Sequence, residues 1–163
     1  MEFRQAQSAD YPRVIAVINE WWGGRPMADM LPKLFFDHFG DTSYVVDHDG
    51  ELAAFLIGFV SQSQPDEAYV HFVGVNPAHR QAGLAQAMYQ RFFANVQARG
   101  CRVVRCVTSP VNKTSIAFHT RIGFEIDAGD ALVDGVAVTS NYDGRGHDRV
   151  RFTYHLAGGG SAS

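Results

Sequence analysis

The sequence predicts a mixed α/β fold, one central sheet with helices on both faces. Three observations lead there. Strand-like and helix-like runs follow one another as β-α-α-β-β-β-α-β-α-β-β along nearly the whole chain. Tight turns such as His48-Asp49-Gly50 join strands as hairpins, which makes antiparallel pairs. Helical crossovers join others, which makes parallel pairs.

Each element has its own warrant. Glu2 to Gln7 alternates and reads as an edge strand. Ser8 to Tyr11 supplies helix-start residues, and Pro12 suits a first turn. Val14, Val17, Ile18 and Trp21 then recur at helical spacing until Gly23-Gly24 stops the helix. Met27, Met30, Leu31, Leu34, Phe35 and Phe39 describe a second amphipathic helix, with Pro32 near its start or kinking it. Thr42 to Asp47, Glu51 to Ser61 and Glu67 to Val75 read as three strands, the last ended by Asn76-Pro77. Leu84, Met88, Phe92 and Val96 step by four along a third helix capped by Gly100. Arg102 to Thr108 is a Val-rich strand. Asn112 or Thr114 starts a fourth helix, which runs to Ile122 with Gly123 as its cap. Phe124 to Asp127 begins a strand, residues 130–148 are loop or irregular hairpin, and Val150 to Leu156 closes the sheet. The expected organisation is one domain over residues 1–157, followed by a disordered Gly/Ser tail at 158–163.

Composition narrows the function. The chain has 163 residues, 46% apolar and 19% charged, enough for one domain with a real core. Fourteen basic against seventeen acidic residues give a net charge of −3, with pI near 6.1, which offers no electrostatic case for nucleic acid. No apolar run reaches the roughly 20 residues of a membrane span, and the polar N-terminus is no secretory leader, so the expected compartment is the cytoplasm. Cys101 and Cys106 lie on one apparent strand with side chains on opposite faces, as small buried hydrophobes rather than a disulfide. The histidines show no metal-ligand spacing, so no metal site is expected.

Arg80-Gln81-Ala82-Gly83-Leu84-Ala85 is the most informative stretch. It lies between a strand and a helix. The first helical N–H groups have no intrahelical partner, and their aligned dipoles add about half a positive charge. Gly83 and Ala85 let a ligand approach the backbone, Gly83 tolerates a positive φ, and Arg80 adds a cation suited to phosphate. The physics specifies an anion site at a helix N-terminus.

Here the chain resembles the GNAT superfamily of acyl-CoA-dependent N-acyltransferases. Arg80 to Ala85 matches that family's R/Q-x-x-G-x-G/A turn and follows a strand ending Val73-Gly74-Val75-Asn76-Pro77. Downstream, Asn112 and Phe118-His119-Thr120-Arg121-Ile122-Gly123-Phe124 match its N…F-Y-x-x-x-G-F segment, with His119 where tyrosine is usual. The element order agrees over roughly residues 2–156. The resemblance implies a mixed, mostly antiparallel central sheet and a cofactor that is acetyl-CoA or another acyl-CoA. It implies that Val73, Gly74 and Val75 bond the pantetheine arm in the manner of strand addition. The N–H groups from Gln81 through Ala82, Gly83 and Leu84 to Ala85 would hold the pyrophosphate. Asn112 would bond or position the cofactor arm, and Ser115 and Phe118 would line its path. Asn112 is equally readable as a plain N-cap, and Val73, Val75 and Phe118 as core.

Transfer of an acyl group from a thioester to an amine needs a base for the ammonium proton, and the departing thiolate benefits from an acid. His71 is the candidate base, at a position where arylalkylamine N-acetyltransferases of the superfamily also carry histidine. Counted by strand period, His71, Val73 and Val75 share a face, with Tyr69 as a proton path. His119 is the candidate acid beside the CoA sulfur. By resemblance, Trp21, Trp22, Arg25 and Tyr142 wall the acceptor pocket, with Asp143 as a partner for an amine. The implied reaction is direct acetyl transfer to a small-molecule or peptide amine, without nucleic acid or membrane as partner. A homodimer is left open. The competing reading is a non-catalytic acyl-CoA sensor on the same fold.

Overall fold

The computed structural model describes residues 1–156, with the backbone but not the side chain of Gln81. The tail expected to be disordered lies outside the described residues. A seven-stranded sheet runs in the order β1-β2-β3-β4-β5-β9-β6. Its strands are β1 (Glu2–Gln5), β2 (Tyr44–His48), β3 (Glu51–Val60), β4 (Glu67–Val75), β5 (Val103–Thr108), β6 (Glu125–Ile126) and β9 (Val150–His155). Only β4 and β5 pair in parallel, so the sheet is mixed and mostly antiparallel. A separate hairpin, β7 (Ala131–Val133) with β8 (Val136–Val138), turns on Asp134-Gly135, both at positive φ.

Helices α1 (Tyr11–Trp21) and α2 (Leu34–His38) cover one face over β1 to β4. Helices α3 (Leu84–Ala98) and α4 (Lys113–Arg121) cover the other. The core against α1 is built on Val14, Ile18, Phe36, Phe55 and Ile57, all essentially buried. The core against α3 and α4 is built on Leu56, Met88, Tyr89, Phe92 and Phe152. At roughly 1.5–3 kcal/mol per fully buried large apolar side chain, these two layers are the main force holding the sheet between its helices.

The expected second amphipathic helix is corrected. Residues 27–39 form a 3-10 turn at Ala28–Met30 and then only the five-residue α2. Pro32 separates them, because it has no N–H to give and pushes Leu31 before it out of helical space (φ −128°, ψ 74°).

An ion-pair network fastens α1 to the sheet edge. Asp10 is 4% exposed and accepts from Arg4 Nη1 and Nη2 at 2.9 and 2.7 Å and from the Gln7 N–H at 2.8 Å. Asp47 accepts from Arg4 Nε at 2.9 Å and Arg13 Nη2 at 2.7 Å. Burial on its own raises a carboxylate's pKa, but Arg4 and Arg13 hold both groups below the usual range, helped at Asp10 by the Gln7 amide.

Candidate active site

β4 carries two irregularities that shape the centre of the molecule. The first is on its β5 side. Parallel pairing runs only from Glu67↔Val103 to Tyr69↔Arg105, after which the strands part. One edge of β4 from Val70 onward therefore has no strand partner. The second is on its β3 side. Ile57 pairs with Phe72 but the next residue, Gly58, pairs with Val70, so His71 is the extra residue of a β-bulge.

The bulge corrects the face assignment of His71. Val73 and Val75 pack into the α3/α4 core. His71 instead lies on the α1/α2 face, stacked on Phe35 with centroids 4.3 Å apart and planes at 7°. The inserted residue breaks the period-two count, so His71 and the valines no longer share a side. Tyr69 does stay with His71, since it stacks on Phe59, and Phe59 packs on Phe35.

The cofactor candidates gather on the α3/α4 face around the free edge of β4. Pro77–Ala82 is a 3-10 turn, and Gly83 follows at φ 70°, ψ 21° as the N-cap of α3. The N-cap glycine has no side chain to cap this helix, and the amides of Leu84, Ala85 and Gln86 have no intrahelical acceptor. A Cβ built on Gly83 would meet nothing within 4 Å, so the turn is open to a ligand. Asn112 caps α4, its Oδ1 accepting from the Ser115 N–H at 3.1 Å. That bond leaves the Asn112 amide Nδ2 for another partner. Phe118 packs beside Tyr89 at 6.1 Å. Free helix amides, a side-chain amide and an aromatic ring thus occur together on α3 and α4.

Arg80 does more than supply charge. Its Nη2 donates to the Trp21 carbonyl at 2.7 Å and its Nε to the Val75 carbonyl at 3.3 Å. It therefore caps the negative end of α1 and ties it to the end of β4.

His119 is corrected more fully. It is 5% exposed and enclosed by Tyr89, Phe118, Phe124 and Phe152. Its Nδ1 lies 2.8 Å from the Ser115 carbonyl, which only accepts, so Nδ1 carries the proton. Nε2 then accepts from the Tyr89 hydroxyl at 2.7 Å. Burial lowers the pKa of His119, with the Ser115 bond opposing, so the ring is neutral at pH 7. The Cys106 thiol lies beside Tyr89 and acts on it electrostatically. Burial pushes both of these groups up, so neither ionises near neutrality. A ring already engaged at both nitrogens is a core group, not an acid presented to a sulfur.

On the other face, the acceptor candidates separate. Trp21 is 6% exposed and stacked on Phe55, so it is core rather than pocket wall. Trp22 lies over the end of β4, edge-on to Phe72 at 5.2 Å, where any Cβ on Gly74 would press on its ring at 2.8 Å. Arg25 is exposed on the loop beyond. The loop is held by Asn19, whose Oδ1 accepts from the Met27 and Ala28 amides at 2.8 Å each. It brings the Met30 carbonyl 2.6 Å from His71 Nε2. That carbonyl only accepts, so Nε2 carries the proton and Nδ1 the lone pair. Burial lowers the His71 pKa, with the Met30 bond and Asp143 opposing, so the ring is neutral near pH 7. Tyr142 is 42% exposed, and the Arg151 guanidinium lies 4.7 Å from its ring centroid. Asp143 accepts from Arg149 Nε at 2.7 Å and acts electrostatically on both Tyr69 and His71.

The two faces meet at the parting of β4 from β5, with the turn at Gly83 and the Asn112 cap on one side and a neutral histidine on the other. The profile of the Acetyltransferase (GNAT) family matches residues 2–124. The chain belongs to the GNAT acetyltransferase family. This GNAT chain is 31% identical over 84 residues to the L-2,4-diaminobutyric acid acetyltransferase of Nocardia farcinica, a match spanning 52% of this chain and only 44% of that relative. It is 26% identical over 136 residues to the L-methionine sulfoximine/L-methionine sulfone acetyltransferase of Pseudomonas aeruginosa, 76% of this chain and 79% of the relative. In fold it resembles a GNAT-family acetyltransferase of Desulfovibrio desulfuricans (TM-score 0.77, 20% identity, 96% of this chain and 99% of the other). It also resembles the diaminobutyrate acetyltransferase of Paenibacillus lautus in complex with L-2,4-diaminobutyric acid and coenzyme A (TM-score 0.68, 21% identity, 95% and 94%). No described helix is long and apolar enough to cross a membrane.

Proposed function

We propose that this GNAT chain transfers an acetyl group from acetyl-CoA to a small amine by direct attack, with His71 as the general base. The observation that carries the reading is His71 itself. The bulge sets it beside the opening between β4 and β5, and the Met30 carbonyl leaves Nδ1 as the basic nitrogen. When bound, acetyl-CoA supplies the acetyl group as an activated thioester. The Leu84, Ala85 and Gln86 amides would hold its pyrophosphate, the free β4 edge its pantetheine arm, and Asn112 Nδ2 a polar group along that arm.

His71 Nδ1 takes the proton that the acceptor ammonium must lose before its nitrogen attacks. Met30 holds Nε2–H and stabilises the imidazolium so formed, while Phe35 fixes the ring plane. Amides on the edge of β4 beyond its pairing with β5 would donate to the carbonyl oxygen as it gains negative charge. The proton on His71 then passes to solvent. With His119 enclosed, the thiolate departs without a dedicated side-chain acid.

The test is thiol release from acetyl-CoA across a panel of small amines, with wild type and His71→Ala compared. We expect turnover of at least one amine and a loss in kcat/KM of about 100-fold or more in the variant, the usual scale for a positioned base. Tight acetyl-CoA binding without turnover of any amine would favour the sensor reading. Full activity in His71→Ala would move the base elsewhere.

A further inference from the structure

Beyond α1 and α2 the sheet face opposite α3 and α4 runs on to β5 and β9, where the loop carrying Tyr142 and Asp143 lies against it. Three arginines sit on or beside it, and they are not equivalent. Arg105 is saturated: Nε bonds Glu67 at 2.9 Å, Nη1 bonds Thr153 Oγ1 at 2.7 Å, and Asp127 lies 3.5 Å away. Arg149 is paired with Asp143 at 2.7 Å and gives Nη1 to the Asp148 carbonyl at 2.9 Å. Arg151 has no carboxylate partner among the described residues. It is half-buried, and its plane is held only by the Tyr142 ring. A cation kept from bulk water without a counter-ion is costly unless a ligand provides one.

The register shows what such a ligand would reach. Tyr69 is abreast of Arg105 on β5, so two residues further on His71 comes abreast of Val107, across the opened gap. Val107 is paired with Arg151 on β9. His71, Val107 and Arg151 therefore form one row on one face. Two strand spacings put the backbones of His71 and Arg151 about 10 Å apart, or more where the strands part. Val107 stands between them, Tyr69 lies on the next row beside Arg105, and Asp143 is near enough to act on both Tyr69 and His71. The row offers a base at one end, a cation at the other and an anion beside them.

We infer that the acceptor is a small zwitterionic amino acid, whose carboxylate pairs with Arg151 and whose amine is thereby presented to His71. The inference rests on the N-acetyltransferase reading and deepens it by naming the substrate class. Arg151 is well suited to the task, because a guanidinium fork matches the two oxygens of a carboxylate and keeps its edge free while its face lies on Tyr142. The named relatives, which act on diaminobutyric acid and on methionine sulfoximine or sulfone, take substrates of this class.

The test compares each amino acid with the amine left when its carboxyl group is removed. L-2,4-diaminobutyrate is set against the corresponding diamine, and L-methionine sulfone against the corresponding sulfonyl amine, by thiol release in wild type, Arg151→Gln and Arg151→Lys. In wild type we expect kcat/KM to favour at least one amino acid by about 10- to 100-fold, the scale of a charge-assisted bond pair. Arg151→Gln should collapse that ratio towards one, mainly through KM for the amino acid, and Arg151→Lys should restore part of it. The KM for acetyl-CoA, measured alongside, reports whether the variants keep the cofactor site. A wild-type ratio near one, or a ratio that Arg151→Gln leaves intact, overturns the inference while the N-acetyltransferase reading stands. His71→Ala should slow both members of a pair without changing their ratio. Absence of thiol release with every acceptor of either kind overturns the reading and the inference together.

Discussion

Gly83 offers the sharpest separation of ligand binding from stability. Its φ of 70° lies in the left-handed region, where a residue with a Cβ costs about 1–2 kcal/mol more than glycine. A Cβ there meets nothing within 4 Å, so alanine adds no clash within the protein. Gly100, at the far end of the same helix, is matched to it, with φ 95° and open space around it. In a chain of this size each kcal/mol lowers Tm by roughly 2–4 °C, so Gly83→Ala and Gly100→Ala should both melt about 2–8 °C early. They should part company on CoA. Gly83→Glu swings a carboxylate onto the uncapped amides of Leu84, Ala85 and Gln86, where it competes with a phosphate and repels it. Losing two bonds to a charged group, at about 1.5 kcal/mol each or more, weakens binding by about 100-fold or more. Calorimetric titration with CoA reads the affinity and thermal melting reads the strain. CoA affinity unchanged in Gly83→Glu refutes the pyrophosphate assignment. Equal loss of affinity in Gly83→Ala and Gly100→Ala refutes the local argument, since strain alone would then explain both.

Three further expectations follow from the geometry. As the proposed base His71 acts in its neutral form, and burial lowers its pKa, so kcat/KM should hold down to about pH 6.5 and fall only below it; a pH–rate profile with its acid limb well above that value counts against His71. Asp10 and Asp47 have folded pKa values held below their unfolded ones, so their stabilisation is complete above about pH 4 and is lost as pH falls through the lowered values. Asp10→Asn leaves Arg4 and Arg13 short of a counter-ion and should cost about 2–4 kcal/mol in urea unfolding at pH 7, with a flatter acid slope. His119→Tyr adds atoms to an enclosed ring shell that already contains the Tyr89 hydroxyl, and should destabilise by about 1–3 kcal/mol by overpacking; a variant as stable as wild type shows that the shell has room.

What the sequence made legible was whatever depends on local backbone chemistry. Asp49-Gly50 announced its hairpin, and both residues indeed take positive φ. Gly23-Gly24 announced the end of α1, again with positive φ at both. Gly83 announced a turn into a helix. What stayed hidden depends on partners distant in sequence. The Tyr69-to-Val73 run contains no glycine or proline to mark a bulge, so counting by twos carried His71 onto the wrong face. Trp21 and Trp22 are adjacent and alike, and only the packing on Phe55 and Gly74 tells core from rim. The acid expected at His119 failed because the partner that engages it, Tyr89, lies thirty residues away on another helix. Arg151 was missed because strand alternation marks it as outward-facing, without saying which part of that face the helices leave bare.

The bulge at His71 also has a bearing on how this fold can vary. Downstream of it, Phe72 and Gly74 serve the α1 core while Val73 and Val75 serve the α3/α4 core. Upstream, Val70 and Ala68 serve the α3/α4 core. Without the extra residue the two halves of β4 would be out of phase, and one half would turn its large side chains towards the wrong helices. The histidine proposed as the base is thus also the spacer that keeps two hydrophobic layers in step. A change of residue type at 71 tests chemistry, whereas a deletion at 71 removes the chemistry and the fold in a single stroke. Chains that lose catalysis by drift can therefore replace this side chain freely but must retain the position, so an inactive descendant would still carry the mark of the active one in the length of its fourth strand.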